Sequence, residues 1–171
     1  MKKLLTTALL LLTMVGSAAP SFAVTGADAT AANQLIQALN ARGITVYLDA
    51  DQCDDGTLDG FYMGKPRVLV LCNKGSREMT EDALDTLRHE TVHFIQDCRD
   101  GVIDHRLNLI MKPGTAERIL RENSWSPERI KDVYSANGKG SHVPFEYEAF
   151  AGGLMPTSTI LNVMNAFCPL P

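Results

Sequence analysis

The sequence has no Cys-x-x-Cys pair, no long run of lysines and arginines and no internal repeat. The first absence argues against a zinc ribbon or a thioredoxin-type redox site. Because basic runs are missing and the formal net charge is −4, nucleic acids and anionic membranes are not expected as main partners. A content of 45% hydrophobic and 21% charged residues excludes a disordered, collagen-like or multi-span membrane chain. The 171 residues predict one ordinary domain with a buried core.

The N-terminal residues have the pattern of a secretory signal peptide. Lys2–Lys3 precede the apolar run Leu4–Val15, which is too short to span a bilayer. Ser21–Ala23 offers small residues at both positions that a signal peptidase reads. We therefore expect residues 1–23 to be removed and 24–171 to form a single domain, exported to the periplasm or secreted, with no stable membrane association after cleavage. An uncleaved membrane anchor is the alternative.

Four cysteines remain in the exported part of the chain. An even number in an oxidising compartment predicts two disulfides, and three connectivities are possible. The preferred pairing joins Cys53 to Cys72, which clamps a strand to the loop before it, and Cys98 to Cys168, which ties the last helix to the end of the central one. Free buried thiols are the alternative.

Apolar periodicity and capping residues predict more helix than strand. Thr80 and Ser126 stand at helix N-cap positions, and Pro127 stands at a first helical position. The expected helices cover 29–42, 81–98, 115–123, 127–134, 144–152 and 156–167, and the expected strands cover 44–48 and 67–72, with an acidic loop at 49–60. Few strands in a helix-rich chain indicate an α+β fold, with a small sheet against the first helices.

The most informative residues form a His-Glu-x-x-His motif within a predicted helix. His89 and His93 lie four residues apart, so both imidazoles can reach one metal ion. Glu90 follows the first histidine, where a carboxylate can reach a metal-bound water without being a ligand. The long metzincin form of the motif is excluded, because Gln96 and Arg99 occupy the positions of its glycine and third histidine. The alternative is a helix that carries two surface histidines and binds no metal.

A catalytic zinc site needs a third protein ligand. Glu146 and Glu148 follow the helix-starting Pro144, and two carboxylates two residues apart on a helix point about 200° apart. Only one of them can therefore face the metal. His142 and His105 are further candidates, each alone in loop-like sequence.

These motifs resemble those of zincin metallopeptidases of the gluzincin type. The segment Glu146–Ala149 is similar to the second motif of CAAX-prenyl-peptidase-like and ImmA/IrrE-like zincins, and Phe150–Pro156 is similar to the tail of the ImmA/IrrE group. The resemblance implies a zincin-like α+β fold, with a small sheet packed on a central helix and a mostly helical C-terminal half. It implies Zn²⁺ as cofactor and Glu146 as third ligand, with Glu148 as the alternative. Phe150 departs from the family, which has Asp or Asn there.

The resemblance also implies a mechanism, the hydrolysis of peptide bonds. His89, His93 and Glu146 would hold zinc, and Glu90 would act as general base on a zinc-activated water. A further donor is needed for the developing oxyanion. His142 is the first choice for that donor, with Tyr134 and Tyr147 as alternatives.

Two other parts of the sequence bear on substrate binding. Gly60–Tyr62, a short turn and Val68–Leu71 are expected to form a hairpin before the motif helix. In zincins the strand before that helix is the sheet edge that pairs with an extended substrate, so the resemblance places Val68–Leu71 at the edge. A plain core hairpin without a substrate-binding edge is the alternative. Trp125 is interpreted as a core anchor rather than as a surface for substrate.

Two other classes of function remain open. One is a zinc-binding, non-catalytic interaction module, which the Phe150 departure favours and the intact Glu90 disfavours. The other is a metal-free binding domain held together by its disulfides. The identity of the peptide or protein substrate and the oligomeric state do not follow from the sequence.

Overall fold

The computed structural model describes residues 25–53 and 58–170. The predicted signal peptide 1–23 and positions 54–57 of the acidic loop lie outside the described residues. In the described part the elements follow the order α1 Ala29–Asn40, β1 Thr45–Leu48, β2 Gly60–Met63, β3 Val68–Leu71, α2 Glu81–Cys98, α3 Thr115–Glu122, α4 Pro127–Ala136, α5 Val143–Gly153 and α6 Thr157–Phe167. Short 3₁₀ turns occupy Asp51–Cys53 and Gly140–His142. The α+β prediction is confirmed at this level.

The three strands form one small mixed sheet in the order β1-β3-β2. Strand β3 pairs in parallel with β1 and antiparallel with β2, so the predicted hairpin is present. The expectation that Val68–Leu71 forms the sheet edge is wrong, because β3 is the central strand and β2 lies at the edge. The physical reason is visible in β3 itself, whose continuous apolar run is typical of a strand that is covered on both faces.

Helix α2 is the centre of the domain and contacts β2, β3, α1, α5 and α6. Its first turn is fixed by Thr80, whose Oγ1 accepts a hydrogen bond from the amide of Ala83 at 3.2 Å. Leu84, Leu87 and Ile95 are fully buried. Because α2 is covered on most sides, polar side chains on it are held in fixed positions by the elements around it.

Helix α5 lies unusually close to α2. A Cβ atom on Gly152 would overlap the side chain of Val92, and one on Gly153 would lie 3.1 Å from the carbonyl oxygen of Asp85. Ala149 between the helices is fully buried. Small residues therefore let the two backbones approach, and the acidic first turn of α5 faces the histidines of α2.

Both predicted disulfides are present. Cys53 is bonded to Cys72, with Cα atoms 5.4 Å apart, and Cys98 is bonded to Cys168, with Cα atoms 5.8 Å apart. Two disulfides are what an oxidising compartment outside the cytosol permits. Among the described residues, no helix is both long enough and apolar enough to cross a membrane.

A buried carboxylate fastens the C-terminal end of α2 to the β2–β3 hairpin and to the loop after α2. Asp97 is 0% exposed. Its Oδ2 accepts a hydrogen bond from the Tyr62 hydroxyl at 2.8 Å, and its Oδ1 accepts from the amides of Asp104 and His105 at 3.0 and 2.7 Å. Gly64 completes this pocket, because any Cβ there would overlap Asp97 Oδ2.

Replacing Gly64 by alanine is therefore expected to destabilise the fold. Overpacking of a closed site costs about 1–3 kcal/mol, and for a domain of this size each kcal/mol lowers the melting temperature by about 2–4 °C. Gly140→Ala is the matched control, since its Cβ would lie 3.5 Å from the nearest atom, Ser135 Oγ. Thermal unfolding followed by circular dichroism measures both. Equal melting temperatures for the Gly64→Ala variant and the unmodified protein would contradict the close contact with Asp97.

Candidate metal centre

Three predicted ligands converge between α2 and α5. His89 and His93 lie one turn apart on α2, and Glu146 stands in the first turn of α5. The Nε2 atoms of the two histidines are each 3.5 Å from Glu146 Oε2. One ligand atom from each of the three residues lies within 4.8 Å of the other two. The helical spacing of the histidines and the close approach of α5 together produce this group.

The arrangement fits a small divalent cation such as zinc. Two ligand atoms about 2.1 Å from a tetrahedral zinc ion lie about 3.4 Å apart, close to the observed 3.5 Å separations. Glu146 is only 8% exposed, and its Oε2 has no hydrogen-bond partner among the described residues. A buried carboxylate oxygen without a partner is costly. A cation bound there would satisfy it.

The charges of the three ligands depend strongly on each other. Burial acts to raise the pKa of Glu146, but the attraction of the His89 and His93 imidazoles 3.5 Å away outweighs it and holds that pKa well below its ordinary value. Burial acts to lower the pKa of His93, yet Glu146, Glu90 and Gln96 raise it to about 9. Metal binding at this group is therefore expected to be coupled to proton release from His93.

Glu148, the alternative third ligand, points away from the histidines. It is buried, and its carboxylate accepts hydrogen bonds from the amides of Ile110 and Met111, the latter at 2.7 Å. It also accepts one from Gln96 Nε2 at 3.0 Å. The two carboxylates lie on different faces of α5, so Glu146 approaches the histidines and Glu148 bonds the backbone and Gln96.

Gln96 positions one of the histidines. Its Oε1 lies 2.9 Å from His93 Nδ1, while its Nε2 donates to the carbonyl of Phe145 at 3.0 Å and to Glu148. A hydrogen bond from Nδ1–H to this oxygen leaves Nε2 of His93 free to bind a metal. In the sequence, Gln96 was informative only because it excludes the long metzincin form of the motif. Its position three residues after His93, on the same helical face, was the available signal.

Phe150, where the resembled family has Asp or Asn, packs against the other histidine. Its ring centroid is 4.6 Å from that of His89 and 5.4 Å from that of Trp125. Trp125 is 45% exposed, so its interpretation as a core anchor is wrong. The short turn between α3 and α4 carries this side chain over Phe150 to the surface. His89 is held by aromatic contact where the resembled family has the polar side chain of Asp or Asn.

A cleft of about 360 Å³ opens beside His89. Glu90, the predicted general base, lines it, and its Oε1 is 3.9 Å from His89 Nε2. The amino end of β2 forms one side, and a Cβ on Gly60 would lie 3.4 Å from Glu90 Cγ. The full lining consists of Leu58, Asp59, Gly60, Asp82, Asp85, Thr86, His89, Glu90, Trp125, Tyr134, Phe150, Gly153 and Leu154.

Of the three candidate oxyanion donors, only Tyr134 lines this cleft. Burial raises the pKa of its hydroxyl, and the negative charges of Glu146 and Glu90 raise it further. His142, the first choice from the sequence, is exposed on the 3₁₀ turn before α5, with its ring 6.5 Å from that of Phe145. Tyr147 instead donates its hydroxyl to the carbonyl of Pro127 at 3.0 Å. The distances of these three residues from Glu146 in the sequence do not show which of them reaches the cleft, because α4 brings Tyr134 back across α5.

Comparison of the chain with protein-family models, with curated proteins and with solved structures found no match.

The two carboxylates of α5 are expected to respond differently to replacement by the amide. Glu146→Gln should weaken zinc binding by more than about 100-fold, because loss of outer partners alone costs about 10–100-fold. Glu148→Gln should retain one zinc per chain but lower the unfolding free energy of the chelator-treated protein by about 1–3 kcal/mol, because an NH₂ group then faces backbone donors. Competitive zinc titration and thermal unfolding separate the two effects. The reverse pattern would make Glu148 the ligand.

Proposed function

We propose that the chain is an exported zinc-dependent metallopeptidase of the zincin type, acting on peptide or protein substrates. The observation that carries this proposal is the buried, unpartnered Glu146 oxygen lying 3.5 Å from both imidazoles. Glu90, which is not one of the grouped ligands, lies next to them and faces the open cleft. A purely structural metal site has no use for a carboxylate base at that position.

The division of work among the side chains follows from their chemistry. His89, His93 and Glu146 would hold the metal, which when bound supplies a Lewis acid and an acidified water. Glu90 accepts the proton of the attacking water and returns it to the leaving amine. Burial of Glu90 at the floor of the cleft keeps competing solvent away from that proton.

Tyr134 is proposed as the donor to the developing oxyanion, in place of His142. Its raised pKa keeps the hydroxyl protonated throughout the neutral range, so it remains able to donate a hydrogen bond. A preorganised donor in a partly dry cleft is among the strongest single contributions to acyl-transfer catalysis.

The sheet edge supports a peptide as the substrate. Among the described strands, β2 pairs only with β3, and its first residue, Gly60, lines the cleft beside Glu90. The free edge of a strand can hydrogen-bond an extended peptide through its backbone, whatever the peptide's side chains. A scissile bond held in this way would lie next to the proposed base.

Glu90→Gln is expected to abolish hydrolysis without loss of zinc. General-base catalysis contributes about 10²–10⁴-fold. The rate of peptide cleavage should therefore fall by at least about 10²-fold, while zinc stoichiometry stays at one per chain. Glu122→Gln, an exposed position on α3 that is paired with Arg118, is the matched control and should cleave normally. Full activity of Glu90→Gln would contradict the role of Glu90 as general base. No cleavage by the zinc-loaded unmodified protein would contradict the peptidase proposal and favour a zinc-binding module.

Tyr134→Phe is expected to lower kcat with little change in KM or in zinc affinity. Removing one oxyanion donor costs about 10²–10³-fold in kcat. Tyr147→Phe removes a hydroxyl that bonds only a backbone carbonyl outside the cleft, so its kcat should match that of the unmodified protein. Steady-state kinetics on one peptide measures both. If only KM rises in Tyr134→Phe, the residue binds substrate rather than stabilising the oxyanion.

A further inference from the structure

The cleft extends from the metal ligands along one face of the first two turns of α2. Asp82, Thr86 and His89 follow at intervals of four and three residues and all line it. At a rise of 1.5 Å per residue, Asp82 stands about 10 Å from His89 along the helix axis. Because an extended peptide advances about 3.3 Å per residue, this distance spans about three residues of a bound substrate.

This stretch of the cleft is negatively charged. Asp59 and Asp82 are exposed and take part in no salt bridge among the described residues. Asp85 is different, because its carboxylate is 2.8 Å from the buried Arg88. No lysine or arginine belongs to the lining, and Lys74 lies in the adjoining depression that shares Asp59 and Asp82.

An aromatic surface lines the same cleft. Trp125 is nearly half exposed and lies against Phe150, which in turn packs on His89. An exposed tryptophan face attracts cations as well as the methylene stems of lysine and arginine. An aromatic surface with free carboxylates in one cleft is therefore complementary to a long side chain with a charged end.

The cleft is more than a group of surface carboxylates, because the proposed general base Glu90 and the proposed metal ligand His89 line it as well. Nε2 of His89 lies 3.5 Å from the buried Glu146 oxygen that has no hydrogen-bond partner among the described residues. The free carboxylates and the exposed tryptophan therefore lie in the same cleft as the proposed catalytic residues.

We propose that this cleft selects peptide substrates with an arginine or lysine within three residues of the cleaved bond, its cationic end bound by Asp59 and Asp82 and its stem lying on Trp125. The inference rests on the proposed peptidase function and adds the class of substrate. An apolar side chain would fit Trp125 and Phe150 equally well but would leave both carboxylates unused. The free charges therefore favour a basic residue.

Hydrolysis of matched peptides tests the selectivity. Arginine is moved through the three positions on each side of the cleaved bond and compared with norleucine, citrulline and glutamate at the same place. The best arginine peptide should have a kcat/KM about tenfold above its norleucine and citrulline counterparts, the size expected for a partly exposed ion pair with a cation–π contact. This advantage should shrink in 0.5 M salt, which reduces the Debye length below about 5 Å.

In the double variant Asp59→Asn/Asp82→Asn the ratio of kcat/KM on the arginine peptide to kcat/KM on the norleucine peptide should fall from about ten to about one. Asp100→Asn is the matched control. Asp100 is an exposed aspartate just beyond the opposite end of α2, and it should keep the preference. Cleavage of all peptides at equal rates by the unmodified protein would overturn the inference while leaving the peptidase proposal intact.

Binding to an inactive form separates failure of the inference from failure of the proposed function. Trp125 is the only tryptophan of the chain and lines the cleft, so its fluorescence reports occupancy directly. In zinc-loaded Glu90→Gln, the arginine peptide should bind about tenfold more tightly than the norleucine peptide. Tighter binding of arginine without cleavage by the unmodified protein would support the cleft and reject the peptidase. Equal dissociation constants, or no change in fluorescence, would reject the inference.

Discussion

The close approach of α5 to α2 is the contact on which the rest of the site depends. A carboxylate can be held against two imidazoles only if the backbones that carry them are near each other, and Gly152 and Gly153 provide that proximity. Buried Arg88 fixes the same junction from the other side, since it donates to the carbonyl of Gly153 at 3.4 Å and to Thr157 Oγ1 at 3.2 Å. The ligand group is therefore a product of helix packing as much as of the motif.

The two buried glutamates of α5 differ in their hydrogen-bond partners. Glu148 accepts hydrogen bonds from Gln96 and from two backbone amides, so its oxygens are satisfied. It thereby links α5 to α2 and to the backbone at 110–111. Glu146 has one oxygen without such a donor, and its charge is balanced only by the histidines. A buried carboxylate oxygen without a donor is costly, and a bound ligand would complete it. Gln96 bonds both Glu148 and His93, so it links the fixed carboxylate of Glu148 to the ring of His93.

Features set by neighbouring residues were predictable from the sequence, and those set by distant packing were not. Capping residues predicted the helix starts at Thr80 and Ser126, and helical periodicity predicted the His89–His93 pair. The even cysteine count predicted two disulfides, although their pairing was a preference among three connectivities. The central position of β3 depends on pairing with β1, which lies far away in the sequence. The places of Trp125 and Tyr134 depend on how α3 and α4 fold back over α5. Choosing Glu146 over Glu148 required the rotation of α5 about its axis, which the sequence pattern leaves open.

The attachment of α6 at both of its ends has a consequence for the lifetime of the protein. Near its start, Thr157 bonds Arg88 of α2, and just after its end, Cys168 is disulfide-bonded to the last residue of α2. Arg42 adds a third link through the carbonyl of Cys168 and the side chain of Asn165. Proteases cut helices that unfold locally, most often near a chain end. Because α6 is held at both ends, its local unfolding also requires breaking these links, so we expect this helix to resist proteolysis.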